Sequence, residues 1–185
     1  VDLQHMIWTA LNYDGPVAIR YPKGLCATHG LIKRLCAYRI GCGEIVTHGN
    51  DLLFICLGPM VDSALAAAQA LNQDFGITST VVNARFAKPL DQDLLLEELP
   101  RHRFACTIED HVLAGGFGSA VLELANDLAV PMQYPIYRFG VGDVFVPHAT
   151  QAEQHQAQKY DPQSIYLFIA ERLRLSKAVG LPAGK

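Results

Sequence analysis

From Gly43 to the end of the chain, apolar runs of strand length alternate with stretches of helical period, and the connections between them are short. "LLFICLG" (Leu52 to Gly58) is a continuous apolar run, as expected of a strand covered on both faces. "PMVDSALAAAQALNQDFG" follows, with Pro59 suited to an early helical position and Gly76 to a C-terminal cap. Val61, Leu65, Ala68 and Leu71 recur at three or four residues and predict the face that packs on the sheet. "ITSTVVNA" is the next strand and "PLDQDLLLEELP" the next helix, with Asp91 as N-cap. "RFACTIED", "GFGSAVLELANDLA" and "PIYRFG" continue the alternation, and a last helix runs from about Pro162 to Lys177. Such a rhythm of strand and helix implies an α/β domain with a mixed, mostly parallel, doubly wound sheet and helices on both faces. A short strand at 43–47 meets the second strand across "HGND", which predicts a hairpin and one antiparallel edge strand.

The segment before this domain is less regular. Residues 2–12 read as a helix, and "PVAIRY" (Pro16 to Tyr21) as a short strand ending at Pro22. Residues 23–42 have no period and are long for a loop inside a compact domain, so they are expected to be a linker. The tail 179–185 is expected to fray.

Several function classes are excluded by composition. The net charge is −3, without the clustered basic stripe of a nucleic-acid surface. No apolar run reaches the roughly 18 residues of a membrane helix. The first residues lack a basic segment leading into an apolar core, and the absence of an initiating Met suggests a cut piece of something longer. Cys26, Cys36, Cys42, Cys56 and Cys106 are odd in number and form no C-x-x-C pair, which fits free thiols in the cytoplasm. The seven histidines show no metal-ligand spacing, and no metal site is expected in these residues.

Ligands of parallel α/β sheets bind outside the carboxyl ends of the strands, which here are "CLGPM", "NARFAKPLD", "IEDHVLAGGFGS" and "RFGVGD". "GGFGS" (Gly115 to Ser119) opens a helix where backbone N–H groups could hold an anion, but Val121 stands where a dinucleotide fingerprint needs Gly or Ala. Its glycines then serve a tight turn and close packing. "IEDH" (Ile108 to His111) gathers two carboxylates and an imidazole near Ser119; acid–base chemistry competes with helix capping, and Ser119 lacks a G-x-S-x-G setting. Arg85 and Lys88 could clamp an anion or pair with the acids of the neighbouring strand end. Arg20 and Lys23 in "RYPKG" could meet an anionic substrate at a domain junction, or be solvated linker charges.

Taken together, "GPVAIRYPKG", "VVNARFAKPLD", "TIEDHVLAGGFGSAV" and "FGVGDVFVPHAT" resemble the C-terminal part of the 1-deoxy-D-xylulose-5-phosphate synthase family, over roughly residues 6–172. Transketolases and the β subunits of 2-oxo-acid dehydrogenase E1 components are broader relatives. The resemblance implies a transketolase C-terminal-like domain at 43–178 and, at 1–22, a remnant of the middle, pyrimidine-binding domain. It implies a homodimeric parent that condenses pyruvate with glyceraldehyde 3-phosphate, releasing carbon dioxide, with thiamine diphosphate and magnesium. That reaction leads to isoprenoids, thiamine and pyridoxal phosphate. The metal-binding motif and the Glu that activates the cofactor are not found in these residues. No catalytic or cofactor-binding residue is therefore assigned, no cofactor is expected on this piece, and it should be inactive alone, contributing dimer interface and closure of the active-site mouth. By resemblance, Lys23 takes the place of an Arg that helps bind the aldehyde substrate's phosphate, keeping the charge without the bidentate fork. An E1 β subunit, a transketolase and a free-standing interaction module of the same fold are the alternatives.

Overall fold

The computed structural model describes residues 1–22 and 34–178, with side chains as far as Leu173. A helix at Asp2–Leu11 (α1) is followed by irregular chain, and then by β1 (Glu44–Thr47), β2 (Leu52–Cys56), α2 (Met60–Phe75), β3 (Ser79–Asn83) and α3 (Gln92–Glu98). A single 3-10 turn at Leu99–Arg101 leads into β4 (Phe104–Val112), α4 (Phe117–Asp127), β5 (Ile136–Val141), α5 (Gln151–Ala157) and α6 (Pro162–Ala178). The strands form one sheet in the order β1-β3-β2-β4-β5, with β1 antiparallel and the other neighbours parallel.

β2 is central, and every one of its residues is buried. Leu52, Phe54 and Cys56 enter one apolar cluster with Met60, Ala64 and Leu71 of α2 and Ile165 and Ile169 of α6. Leu53 and Ile55 enter the opposite cluster with Leu95 of α3 and Phe117, Val121 and Ala125 of α4. Alternate residues of one apolar run therefore serve two helical layers, each large side chain contributing roughly 1.5–3 kcal/mol relative to exposure. α2 ends at Gly76 in the left-handed conformation, φ 66°, its N–H donating to the Asn72 carbonyl. Asp91 caps α3 by accepting from the Leu94 N–H, and its other oxygen accepts from the Gly43 N–H.

Three expectations need correction. β1 does not form a hairpin with β2; it pairs with β3. The reason lies in the turn between them. Gly49 and Thr80 exchange hydrogen bonds, and the Asp51 carboxylate accepts from the Thr78 N–H and hydroxyl. The "HGND" turn is thus tied across the start of β3, which leaves β3 between β1 and β2. Only glycine allows so close a crossing, because a Cβ on Gly49 would lie 2.3 Å from the Ser79 nitrogen. Second, residues 16–22 form no strand; they have no ladder partner among the described residues, and an extended segment without one is not a strand. Third, of the four residues expected on the sheet-facing side of α2 only Leu71 is fully buried; the buried stripe is Met60, Ser63, Ala64, Ala67 and Leu71. Val61, Leu65 and Ala68 lie on its half-buried flank, because the sheet and α6 together set the rotation of the helix. α5, which the sequence reading did not delimit, opens with a capping box formed by Thr150 and Glu153.

Candidate functional site

The carboxyl ends of β3, β4 and β5 carry the residues singled out from the sequence. Glu109 of β4 is fully buried, and its carboxylate accepts from the Phe117 N–H at 2.7 Å and the Gly118 N–H at 2.8 Å. These are orphan donors at the positive end of α4, so the charge-assisted bonds and the helix dipole act together. The glycines around it make room for this carboxylate. A Cβ on Gly116 would lie 2.4 Å from Glu109 Oε2, and one on Gly118 would lie 2.4 Å from Thr107 Oγ1. The anion-receptive turn is filled by the chain's own acid and does not fit a cofactor diphosphate.

Ser119 is not a nucleophile paired with a base. Its hydroxyl donates to the Leu113 carbonyl and accepts from Arg138, whose guanidinium also donates to that carbonyl. His111 is exposed, its Nδ1 beside the Val112 carbonyl. Neighbours in sequence, Glu109, His111 and Ser119 are not joined in a triad.

Asp110 faces the other way. Its Oδ1 accepts from the Tyr160 hydroxyl at 2.8 Å, and its backbone carbonyl accepts from Arg20 at 2.5 Å. His155 Nε2 is 3.8 Å from the same Oδ1, and the His155 and Tyr160 rings lie 4.6 Å apart. Burial, then the hydrogen bond to Asp110, push the Tyr160 phenol far above its ordinary range, so it remains a donor. Sequence reading missed Tyr160 and His155: both lie far along the chain from Asp110, and neither belongs to a recognisable motif.

At the end of β3, Arg85 takes a left-handed backbone, φ 57°, with its N–H donating to Asn83 Oδ1. Its guanidinium pairs with Glu44 of β1 and lies 4.0 Å over the Tyr38 ring. Its partners are thus on β1 and the preceding loop, not the acids at the end of β4. Tyr38 in turn donates to Asp2 Oδ1 at 2.6 Å, and Asn83 donates to Asp2 Oδ2 at 2.8 Å. Arg85 therefore belongs to the contact that docks α1 on the sheet. Lys88 is exposed, and Lys23 lies outside the described residues.

Among the described residues, no three His, Cys, Asp or Glu side chains gather so as to hold a metal. No described helix is long and apolar enough to cross a membrane. Cys56 and Cys106 are buried, and burial pushes both thiols up, which suits inert packing.

The sequence of the 1-deoxy-D-xylulose-5-phosphate synthase of Heliobacterium modesticaldum is 43% identical over 80% of this chain, which covers 23% of that protein. That of Rippkaea orientalis is 48% identical over 80% of this chain. That of Syntrophus aciditrophicus is 36% identical over 98% of the chain and 28% of the relative. The chain spans about a quarter of the length of these curated relatives. A solved structure described as "Split gene transketolase, inactive beta4 tetramer" superposes with a TM-score of 0.67 at 30% identity, over 76% of this chain and 45% of that one. The family described as "Transketolase, C-terminal domain" matches residues 41–165. The chain belongs to the transketolase C-terminal domain family.

Proposed function

We propose that these 185 residues are the C-terminal region of a 1-deoxy-D-xylulose-5-phosphate synthase. The intact enzyme condenses pyruvate with glyceraldehyde 3-phosphate and releases carbon dioxide, supplying a precursor of isoprenoids, thiamine and pyridoxal phosphate. Residues 1–22 are then the end of the middle domain, 23–42 the linker and 43–178 the C-terminal domain. The observation that carries this reading is the 36–48% identity to synthases over most of the chain.

Thiamine diphosphate, with magnesium, supplies the carbanion chemistry in such an enzyme. The described residues offer no fitting site for it, so its contacts belong to other parts of a cytoplasmic homodimer. This region contributes interface and closure. Leu3, Ile7 and Leu11, spaced to share a face of α1, are exposed, as is Phe145, which supports apolar contact with the rest of the enzyme. Arg20, held at the end of β4, and Lys23 beyond it meet the phosphate of the aldehyde substrate. The tetramer that superposes on this chain is described as inactive, which supports inactivity of this region alone.

The test compares the full-length protein with the 185-residue chain for thiamine-diphosphate-dependent carbon dioxide release from pyruvate plus glyceraldehyde 3-phosphate. An active full-length protein beside a silent chain is expected. An inactive full-length protein overturns the synthase reading, and turnover by the chain alone overturns the assignment of the cofactor site elsewhere.

A further inference from the structure

Arg20 is exposed, yet one of its N–H groups is pinned by the Asp110 carbonyl, 90 residues away in sequence. That carbonyl is available because of an irregularity in the sheet. The β4–β5 pairing runs in register from Ala105 to Ile108 and resumes only at Val112. On the other side, the last ladder contact of β4 is the Ile108 carbonyl, which accepts from the Leu57 N–H. Asp110 therefore lies past one ladder and inside the break of the other. Strand irregularities of this kind re-aim groups at the ends of sheets.

Asp110 is anchored in this break through its side chain. Oδ1 is held by the hydroxyl of Tyr160, a residue only 2% exposed whose ring belongs to the core cluster under α2 and α6. The His155 ring packs on that of Tyr160 and closes the other side. The order of support is core, Tyr160, Asp110, Arg20. An arginine held by one donor keeps its remaining donors for a ligand and loses less rotamer freedom on binding.

We infer that Asp110 and Tyr160, backed by His155, are positioning residues that hold Arg20 ready for the phosphate of the aldehyde substrate. The inference rests on the synthase reading above.

The experiment uses the full-length enzyme and its Arg20→Ala, Tyr160→Phe, Asp110→Asn and Asp110→Ala variants. Steady-state kinetics are measured with glyceraldehyde 3-phosphate and with unphosphorylated glyceraldehyde, and thermal melting checks folding. Tyr160→Phe keeps the packed ring and removes only the donor. It is expected to raise KM for the phosphorylated aldehyde by about tenfold while leaving kcat and the KM for pyruvate within about twofold, the scale of one lost hydrogen bond. Its kcat/KM for unphosphorylated glyceraldehyde should be unchanged. Asp110→Asn still offers Oδ1 to Tyr160 and should behave as wild type, and Asp110→Ala should repeat the Tyr160→Phe result even if the latter folds poorly. Should Arg20→Ala raise KM while Tyr160→Phe and Asp110→Ala do not, the positioning inference falls and the phosphate site stands. No effect of Arg20→Ala on the phosphorylated substrate overturns both. Equal losses with both aldehydes assign the pair a structural role only and overturn the inference.

Discussion

Replacing Glu109 by Ala tests the account of the α4 turn most directly. The side chain has no exposed surface, and its two oxygens satisfy the Phe117 and Gly118 N–H groups at 2.7 and 2.8 Å. Removing it leaves two buried donors without an acceptor, at roughly 1–3 kcal/mol each, and takes a negative charge from the helix N terminus, worth about 0.3–1 kcal/mol. Relief of the desolvated charge offsets part of this, so a net loss of about 3–5 kcal/mol is expected. Urea unfolding followed by far-UV circular dichroism reads it: with an m value of about 2 kcal/mol/M, the midpoint falls by roughly 2 M. Glu109→Gln keeps the volume and one acceptor but turns an amide donor toward a backbone N–H, and should lose about half as much. A Glu109→Ala midpoint within about 0.3 M of wild type would refute the reasoning, since two buried N–H groups cannot be orphaned so cheaply.

Gly49→Ala should destabilise the chain by about 1–3 kcal/mol, the usual range of overpacking, because the new Cβ lies 2.3 Å from the Ser79 nitrogen and this neighbour is backbone; amide exchange should show the loss concentrated in β1 and the start of β3. The exposed Glu153 carboxyl is held below the usual carboxylate range by the Thr150 hydroxyl and N–H. With the folded pKa below the unfolded one, its contribution to α5 is full above the unfolded pKa and is lost as pH falls through the folded one. An NMR titration should therefore show α5 fraying in step with Glu153 protonation, and Thr150→Ala should return that carboxyl toward its ordinary value.

Much of the local architecture is written in short stretches of the chain. "LLFIC" is apolar at every position because β2 is covered on both faces, and Gly76 and Asp91 stand where a left-handed cap and an N-cap are required. The glycines of "GGFGS" also read correctly: Gly115 supplies the turn with φ 68°, and Gly116 and Gly118 leave no room for a Cβ. The candidate site was legible only in part. Sequence reading brought Glu109, Asp110 and His111 forward together, but their side chains separate toward the α4 N terminus, toward Tyr160 and toward solvent: alternation sends Asp110 to the face opposite Glu109, and the break in the β4–β5 ladder between Ile108 and Val112 ends the regular alternation that would return His111 to the side of Glu109. Periodicity and caps arise from neighbours in the chain, and a sequence displays them. Which strand lies beside β1, which acid answers Arg85 and which hydroxyl holds Asp110 depend on edges and strand ends brought together from distant segments. For Asp110 and Tyr160, separated by 50 residues, that juxtaposition exists only once the sheet has formed.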